Sequence, residues 1–356
     1  MSRRGILTLL PLAWTLACDG NPGSKASPDT PAVQTPTQAE IDKALEDARA
    51  ELEAERLARE AKTAAQLVPA RDELPAPLPV AEPGKDGTDI DALLGSLDAL
   101  DLRGLAARHR EQLARLLQSE PSACGKAHSL LTSLQKDPDC IESPVIAQWM
   151  VDTVRRGHDD LEIRRKANKI VRELQPQSID TAGRPSYGDS QAPVTVVVFA
   201  DFQCPHCAME APRLIRSIDD SDGRARLVYK HYPLRGHDGA RRAAAAAEAV
   251  LAANPRKWWE LQSWIFANQR ELFADPEALD AELRQKVEKL GVSMTNYDAF
   301  VRAGRGSGAV DRDHADGRRI GVSSTPAVFV NGRRVNADLF KGSLKKWIEF
   351  AFEADR

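Results

Sequence analysis

The stretch "FADFQCPHCAMEAPRL", residues 199–214, sets Cys204 and Cys207 two residues apart directly after an apolar run. Cysteines at this spacing can ligate zinc, close a small structural staple, or cycle between dithiol and disulfide. Their place on the secondary structure discriminates among the three. "VTVVVFADF" is a β-branched run that reads as a buried strand, and a helix is expected to start around Pro205. A cysteine at a helix N-terminus faces unpaired backbone N–H groups and the positive end of the helix dipole. Both favour the thiolate, which is the nucleophile in disulfide exchange. Pro205 suits the first helical turn, where its missing N–H has no partner to lose. His206 can add positive charge or a hydrogen-bond donor. On this reading Cys204 is the nucleophile, charged and reachable at the helix tip, and Cys207 is the resolving thiol one turn on.

The other two readings are weaker. Zinc needs four ligands, and beyond the N-terminal Cys18 the chain offers only Cys124 and Cys140, in another segment and without a second C-x-x-C. No metal is expected. An inert staple remains open, although a strained C-x-x-C ring at a helix tip makes a poor one. A second element bears on the choice. In "GVSSTPAVFVNG", residues 321–332, a Thr–Pro peptide enters a strand. Proline is expelled from central strands, so the bond before Pro326 is expected to be cis, in a tight turn. Beside the C-x-x-C, such a turn would leave Thr325 backbone groups free to hold a substrate's extended chain against the attacking sulfur. A plain edge-strand turn is the alternative.

The elements that must position these groups occupy only part of the 356 residues. A formal net charge of −3, from 49 basic and 52 acidic residues, gives no nucleic-acid footprint. The N-terminus, "MSRRGILTLLPLAWTLACDG", has a basic start, an apolar run over 6–16 and small Ala17 before Cys18. The apolar run falls short of the ~20 residues of a spanning helix, so residues 1–17 read as an export signal. The pattern resembles a bacterial lipoprotein signal, which implies lipidation of Cys18; ordinary secretion is the alternative. Either way the mature protein is expected in the cell envelope, on the periplasmic side, where thiols tend to pair. Residues 18–39 are expected to be a disordered tether, 40–67 a charged helix and 68–89 a Pro-rich linker.

Residues 90–175 show leucines at helical spacing and read as a small all-α domain. Within it Cys124 and Cys140 bracket a helix-length insert. A structural bridge closing that loop would stabilise the unit by roughly 3 kcal/mol; a second redox pair is the sharper alternative. After a Gly/Pro-punctuated junction over 175–193, a second strand is expected at "RARLVYKHYPL", helices from Ala240 to about Ile320, and a hairpin turning at Asn331–Gly332. "LFKGSLKKWIEFAFEA" closes the chain as an amphipathic helix. This order is α/β, a thioredoxin fold with an inserted helical subdomain, preceded by the all-α domain and the disordered and helical linkers.

"VVFADFQCPHC", "KHYPLRGHDGARRAA", "WWELQSWIFANQ" and "GVSSTPAVFVNG" together resemble the DsbA-like thiol–disulfide oxidoreductases, in the subgroup carrying D-F-x-C-P-x-C. The likeness covers about residues 185–352. It implies that Cys204 and Cys207 are the catalytic pair, flanking Pro205 and His206, and that Thr325–Pro326 is the cis-proline loop. Pro212 matches the kinking proline of thioredoxin-type helices. Two positions depart from the family. Thioredoxin and DsbA carry a buried acid six residues before the first cysteine, where this chain has Val198; Asp201 stands three residues before it, as a proton relay or as a loop cap. Thr325 replaces the valine of typical DsbA and is shared with isomerase-type relatives. The resemblance implies protein thiol or disulfide substrates, a redox partner that resets the pair and no soluble cofactor; the leader pattern, with Cys18, implies a lipid-anchored membrane position. It favours an oxidase over a reductase or isomerase; a non-catalytic tethered peptide-binding or chaperone module is the alternative from another class.

Overall fold

The computed structural model describes residues 89–355. The expectations on the leader, Cys18, the tether, the charged helix and all but the last residue of the linker lie outside the described residues. The described residues belong to one compact unit.

The unit opens with helices α1 (Ile90–Gly95), α2 (Ala107–Ser119), α3 (Leu130–Lys136), α4 (Glu142–Arg155) and α5 (Asp160–Leu174). Short polar residues start several of them. The Asp89 carboxylate accepts from Asp91 N and Ala92 N, Ser129 Oγ from Thr132 N, and Asp159 from Glu162 N. Each satisfies backbone donors that the first turn leaves orphaned. The apolar stripes of the longer helices meet in a core around Leu113, Leu116, Leu117, Ile146, Val151, Val154, Ile163 and Ile170. Cys124 and Cys140 are joined by a disulfide with Cα atoms 5.8 Å apart.

The second half is built on a five-stranded sheet in the order β1-β3-β2-β4-β5. Its strands are β1 (Ser186–Gly188), β2 (Val194–Ala200), β3 (Ala225–His231), β4 (Ala327–Val330) and β5 (Arg333–Arg334). β2 and β3 run parallel through helix α6 (Pro205–Asp219), and β4 lies antiparallel to β2. Between β3 and β4 come α7 (Asp238–Ala253), α8 (Pro255–Ala267), α9 (Gln269–Leu272), α10 (Leu279–Lys289), α11 (Met294–Arg302) and α12 (Arg305–Arg319), and α13 (Leu344–Ala354) ends the chain. This is the thioredoxin fold with its helical insertion. Alternation along β2 divides the core. Val196, Val198 and Ala200 join the side packed with Leu214 and Ile218 of α6 and Trp347 of α13. Val197 and Phe199 face the other way, with Val228 and Phe329. There α12 approaches so closely that a Cβ on Gly317 would lie 2.7 Å from the Tyr232 ring.

Strand β1 falls inside the stretch read from sequence as a plain junction. Three residues are too few to show a period, and the strand exists because the free edge of β3 accepts it: Tyr187 pairs with Leu227. At the opposite edge the helical segment covers β5, with Asn336 Nδ2 donating to Glu173 and Arg333 facing Glu142 at 3.5 Å. Covering an edge strand blocks unwanted pairing. The hairpin itself turns at Asn331 (φ 44°) and Gly332 (φ 78°). Gln177 N donates to Gly332 O at 2.9 Å, so the incoming chain lies directly across the turn.

Gly332→Ala should therefore be strongly destabilising. Its Cβ would sit 2.3 Å from the Gln177 carbonyl oxygen, and overpacking against backbone costs about 1–3 kcal/mol. Left-handed backbone adds about 1–2 kcal/mol for a residue with a side chain. Urea unfolding should show a lowered midpoint with an unchanged slope; an unaltered midpoint would contradict this packing.

Candidate active site

Cys204 is the N-cap of α6, with extended backbone (φ −81°, ψ 120°), and its carbonyl accepts from Cys207 N at 3.1 Å and Ala208 N at 3.2 Å. Pro205 occupies the first turn, and Pro205 and His206 are both exposed. Both cysteines are free thiols. Where the sequence predicts a freely reachable sulfur at Cys204, the structure instead buries that residue, 4 % exposed, and Cys207 is 2 % exposed. The cover over Cys204 is the turn before β4: the Thr325–Pro326 peptide is cis, and Cys204 Sγ lies 3.5 Å from Thr325 O. The structure thus brings Cys204, Cys207, Thr325 and Pro326 together.

The loop leading into α6 is held from several sides. Asp201 is fully buried: Oδ1 accepts from Gln203 N at 2.6 Å, Oδ2 accepts from Leu234 N at 2.7 Å, and His237 Nδ1 lies 2.6 Å from Oδ2. With its oxygens so occupied, Asp201 turns only its backbone N–H toward Cys207, at 3.5 Å from Sγ. Gln269 Nε2 donates to Phe202 O at 2.8 Å and to Cys204 O at 3.0 Å. Gln203 Oε1 accepts from Gly239 N at the start of α7. The Phe202 ring stacks on Tyr229 at 5.6 Å and touches His231, Trp258 and Phe266. The inserted helices therefore fix the C-x-x-C loop as much as the sheet does.

Burial pushes the Cys207 thiol up to about 12, against the opposing pull of the Asp201 N–H and the Thr325 side chain. The neighbouring Cys204 sulfur adds to the rise. At neutral pH Cys207 is a neutral thiol.

Sequence reasoning missed a buried ion cluster beside this loop. Arg184 bridges Glu248 and Asp313, each at 3.0 Å. Lys230 meets Asp316 at 2.6 Å, and His231 Nε2 lies 3.1 Å from Glu248. Burial alone would raise the Glu248 carboxyl; the His231 hydrogen bond and the Arg184 charge outweigh it and hold the group below its ordinary range. The available signals were a lysine inside an apolar strand and a glutamate inside an alanine run.

Cys124 and Cys140 stand elsewhere. Glu142 Oε2 lies 3.0 Å from Cys124 Sγ, and Glu142 faces Arg333 where β4 turns into β5. Cys204 follows the opposite end of β2, since Phe199 pairs with Ala327 and Val196 with Val330. Among the described residues Cys124, Cys140 and Glu142 form one close group of ligand types, but its two sulfurs are bonded to each other.

Comparison with known proteins gives these residues a context. A family model described as thioredoxin matches residues 180–350. The probable disulfide bond formation protein D of Bacillus cereus is 30 % identical over 171 residues, 46 % of this chain and 76 % of that protein. This chain belongs to the DsbA-like family of the thioredoxin superfamily. The DsbA-like part also matches the Na(+)/H(+) antiporter NhaA 3 of Salinispora tropica, 34 % identical over 170 residues, 48 % of this chain. There the chain spans 25 % of the relative's length. The crystal structure of oxidised BdbD from Bacillus subtilis is 25 % identical, with a TM-score of 0.40 over 49 % of this chain and 95 % of BdbD.

The state of Cys207 in this DsbA-like site is directly measurable. A thiol raised from 9.0 to about 12 stays protonated in the folded protein. Its stabilising contribution is present below its unfolded value and is lost as pH rises through the folded one. In a Cys204→Ser variant, thiolate absorbance and alkylation of Cys207 should stay low through pH 9.0 and rise only toward about 12. Rapid alkylation at neutral pH would contradict the burial.

Proposed function

We propose that this protein catalyses thiol–disulfide exchange with protein substrates through Cys204 and Cys207, as an oxidase in the cell envelope. The observation that carries the reading is the 3.5 Å approach of Cys204 Sγ, at the tip of α6, to the Thr325 carbonyl. A substrate segment laid along the Thr325–Pro326 turn in extended form would bring its cysteine to that sulfur.

In the oxidised enzyme a substrate thiolate attacks Cys204 Sγ. The Cys204–Cys207 bond breaks, a Cys204–substrate disulfide forms, and the electron pair goes to Cys207, which takes up a proton. A second substrate thiolate then attacks the substrate sulfur of that mixed disulfide. Cys204 leaves as a thiolate facing the helix N-terminus, where backbone N–H groups and the dipole favour negative charge. The substrate departs with a disulfide and the enzyme is left as a dithiol. A redox partner must reoxidise it, and no soluble cofactor enters. Pro205 and His206, both exposed, stand between the two cysteines, and Asp201 shapes the loop.

The envelope position rests on the leader-like N-terminus and on Cys18 as a lipidation site. Among the described residues no helix is long and apolar enough to cross a membrane; the proposed tether is the lipid on Cys18. The helical segment before the sheet, with its Cys124–Cys140 bridge, is assigned a structural role.

Redox titration against glutathione tests the direction. An oxidase requires a potential well above the roughly −270 mV of thioredoxin; a value near thioredoxin's would make the protein a reductase or isomerase. In oxidation of a reduced, unfolded substrate, wild type should be active and Cys204→Ser reduced to the uncatalysed background. A Cys204→Ser variant with full activity would leave only a binding role.

A further inference from the structure

Closing the Cys204–Cys207 disulfide from a mixed disulfide requires the proton of Cys207 to leave a site that is 2 % exposed. The sequence position that holds a buried acid in related folds is Val198 here, and the Asp201 carboxylate is turned toward His237, Leu234 N and Gln203 N. Another route exists. Behind Cys207 lies a cavity of about 10 Å³, lined among others by Val198, Glu210, Tyr229 and Gln262. Roughly 10–15 Å³ is the least room that takes one water, and a water there needs two or more polar partners.

The cavity supplies them. Tyr229 is 2 % exposed and its hydroxyl is buried without a hydrogen-bond partner in the protein. Buried hydroxyls are rarely left so, and a bridging water is the usual partner. Gln262, 4 % exposed, brings an amide. Glu210 stands three residues after Cys207, on the same face of α6. Glu210 lines the cavity, and its side chain is 32 % exposed with Arg213 Nη1 3.6 Å from Oε2. The residue therefore borders both the cavity and the solvent.

We propose that Glu210, through one water held by the Tyr229 hydroxyl, carries the Cys207 proton to and from solvent. The inference rests on the exchange reading above. As Cys207 Sγ attacks the Cys204 sulfur of the mixed disulfide, its proton passes through the water to the Glu210 carboxylate. The Cys204–substrate bond breaks, the partner leaves as a thiolate, and Glu210 then releases the proton to bulk water. The reverse reaction uses the same path. The groups facing Cys207 are Cys204 and Glu210 on α6, Asp201 in the preceding loop, Tyr229 on β3 and Thr325 before β4; α8 adds Trp259 and Gln262, which carry no charge. Of the carboxylates, Glu210 alone among the described residues lines the cavity and also meets solvent.

The test uses the full-length protein, reduced, with oxidised glutathione as probe. Stopped-flow with acid quenching separates attack by Cys204 from resolution by Cys207, between about pH 4 and pH 9. In Glu210→Gln, resolution should slow on the order of 10²-fold, the usual lower range for loss of a general base. The pH dependence of resolution should also change, while attack by Cys204 keeps its wild-type rate. Glu210→Asp should keep the wild-type pH dependence, and Tyr229→Phe should slow resolution alone. A wild-type resolution rate and pH profile in Glu210→Gln would overturn the inference, as would equal slowing of both steps. Failure of wild type to react with glutathione at all would instead sink the exchange reading beneath it.

Discussion

The 3.5 Å contact between Cys204 Sγ and the Thr325 carbonyl joins two points 121 residues apart in the chain, and most of the second half of the molecule exists to maintain it. β2 must end and β4 must begin at the same end of the sheet, which the pairing of Phe199 with Ala327 enforces. The helices between β3 and β4 return the chain to that end. On the way they grip the C-x-x-C loop through Gln269, Gly239 and the aromatic group around Phe202.

A second consequence of this packing is the unequal treatment of two chemically identical thiols. Cys207 is one turn inside the helix, and the loss of hydration there outweighs the Asp201 N–H and the Thr325 side chain. It is kept neutral. Cys204 caps the helix under the Thr325–Pro326 turn, where orphan N–H groups converge. In the proposed exchange this difference in position gives attack to Cys204 and resolution to Cys207. The ion cluster of Arg184, Lys230, Glu248, Asp313 and Asp316 serves the same frame. Buried pairs add little net stability, but losing one partner strands a charge at a cost of about 3–5 kcal/mol. The cluster therefore fixes β3 against α7 and α12, and with β3 the Tyr229 and His231 rings on which Phe202 rests.

Much of this was legible from local chemistry. The β-branched run before Cys204, the proline after it and the Asn331–Gly332 turn each act within a few residues, so spacing and residue type were enough to read them. The four motifs that resemble DsbA-like proteins located the two thiols and the proline turn. Other features were not legible because they depend on partners far along the chain. Strand β1 owes its existence to the edge of β3. The role of Asp201's oxygens depends on Leu234 and His237 arriving from beyond that strand.

By itself, then, the amino-acid order determined most of the helices and strands, though not β1, and marked the residues proposed for redox chemistry, because capping, alternation and turn preferences are local. Tertiary structure alone decided how far each thiol is hidden, which carboxylate is occupied and which faces a cavity, and that a tyrosine hydroxyl is left unpaired behind Cys207. Those properties are set by desolvation and by distances between segments that no local pattern encodes.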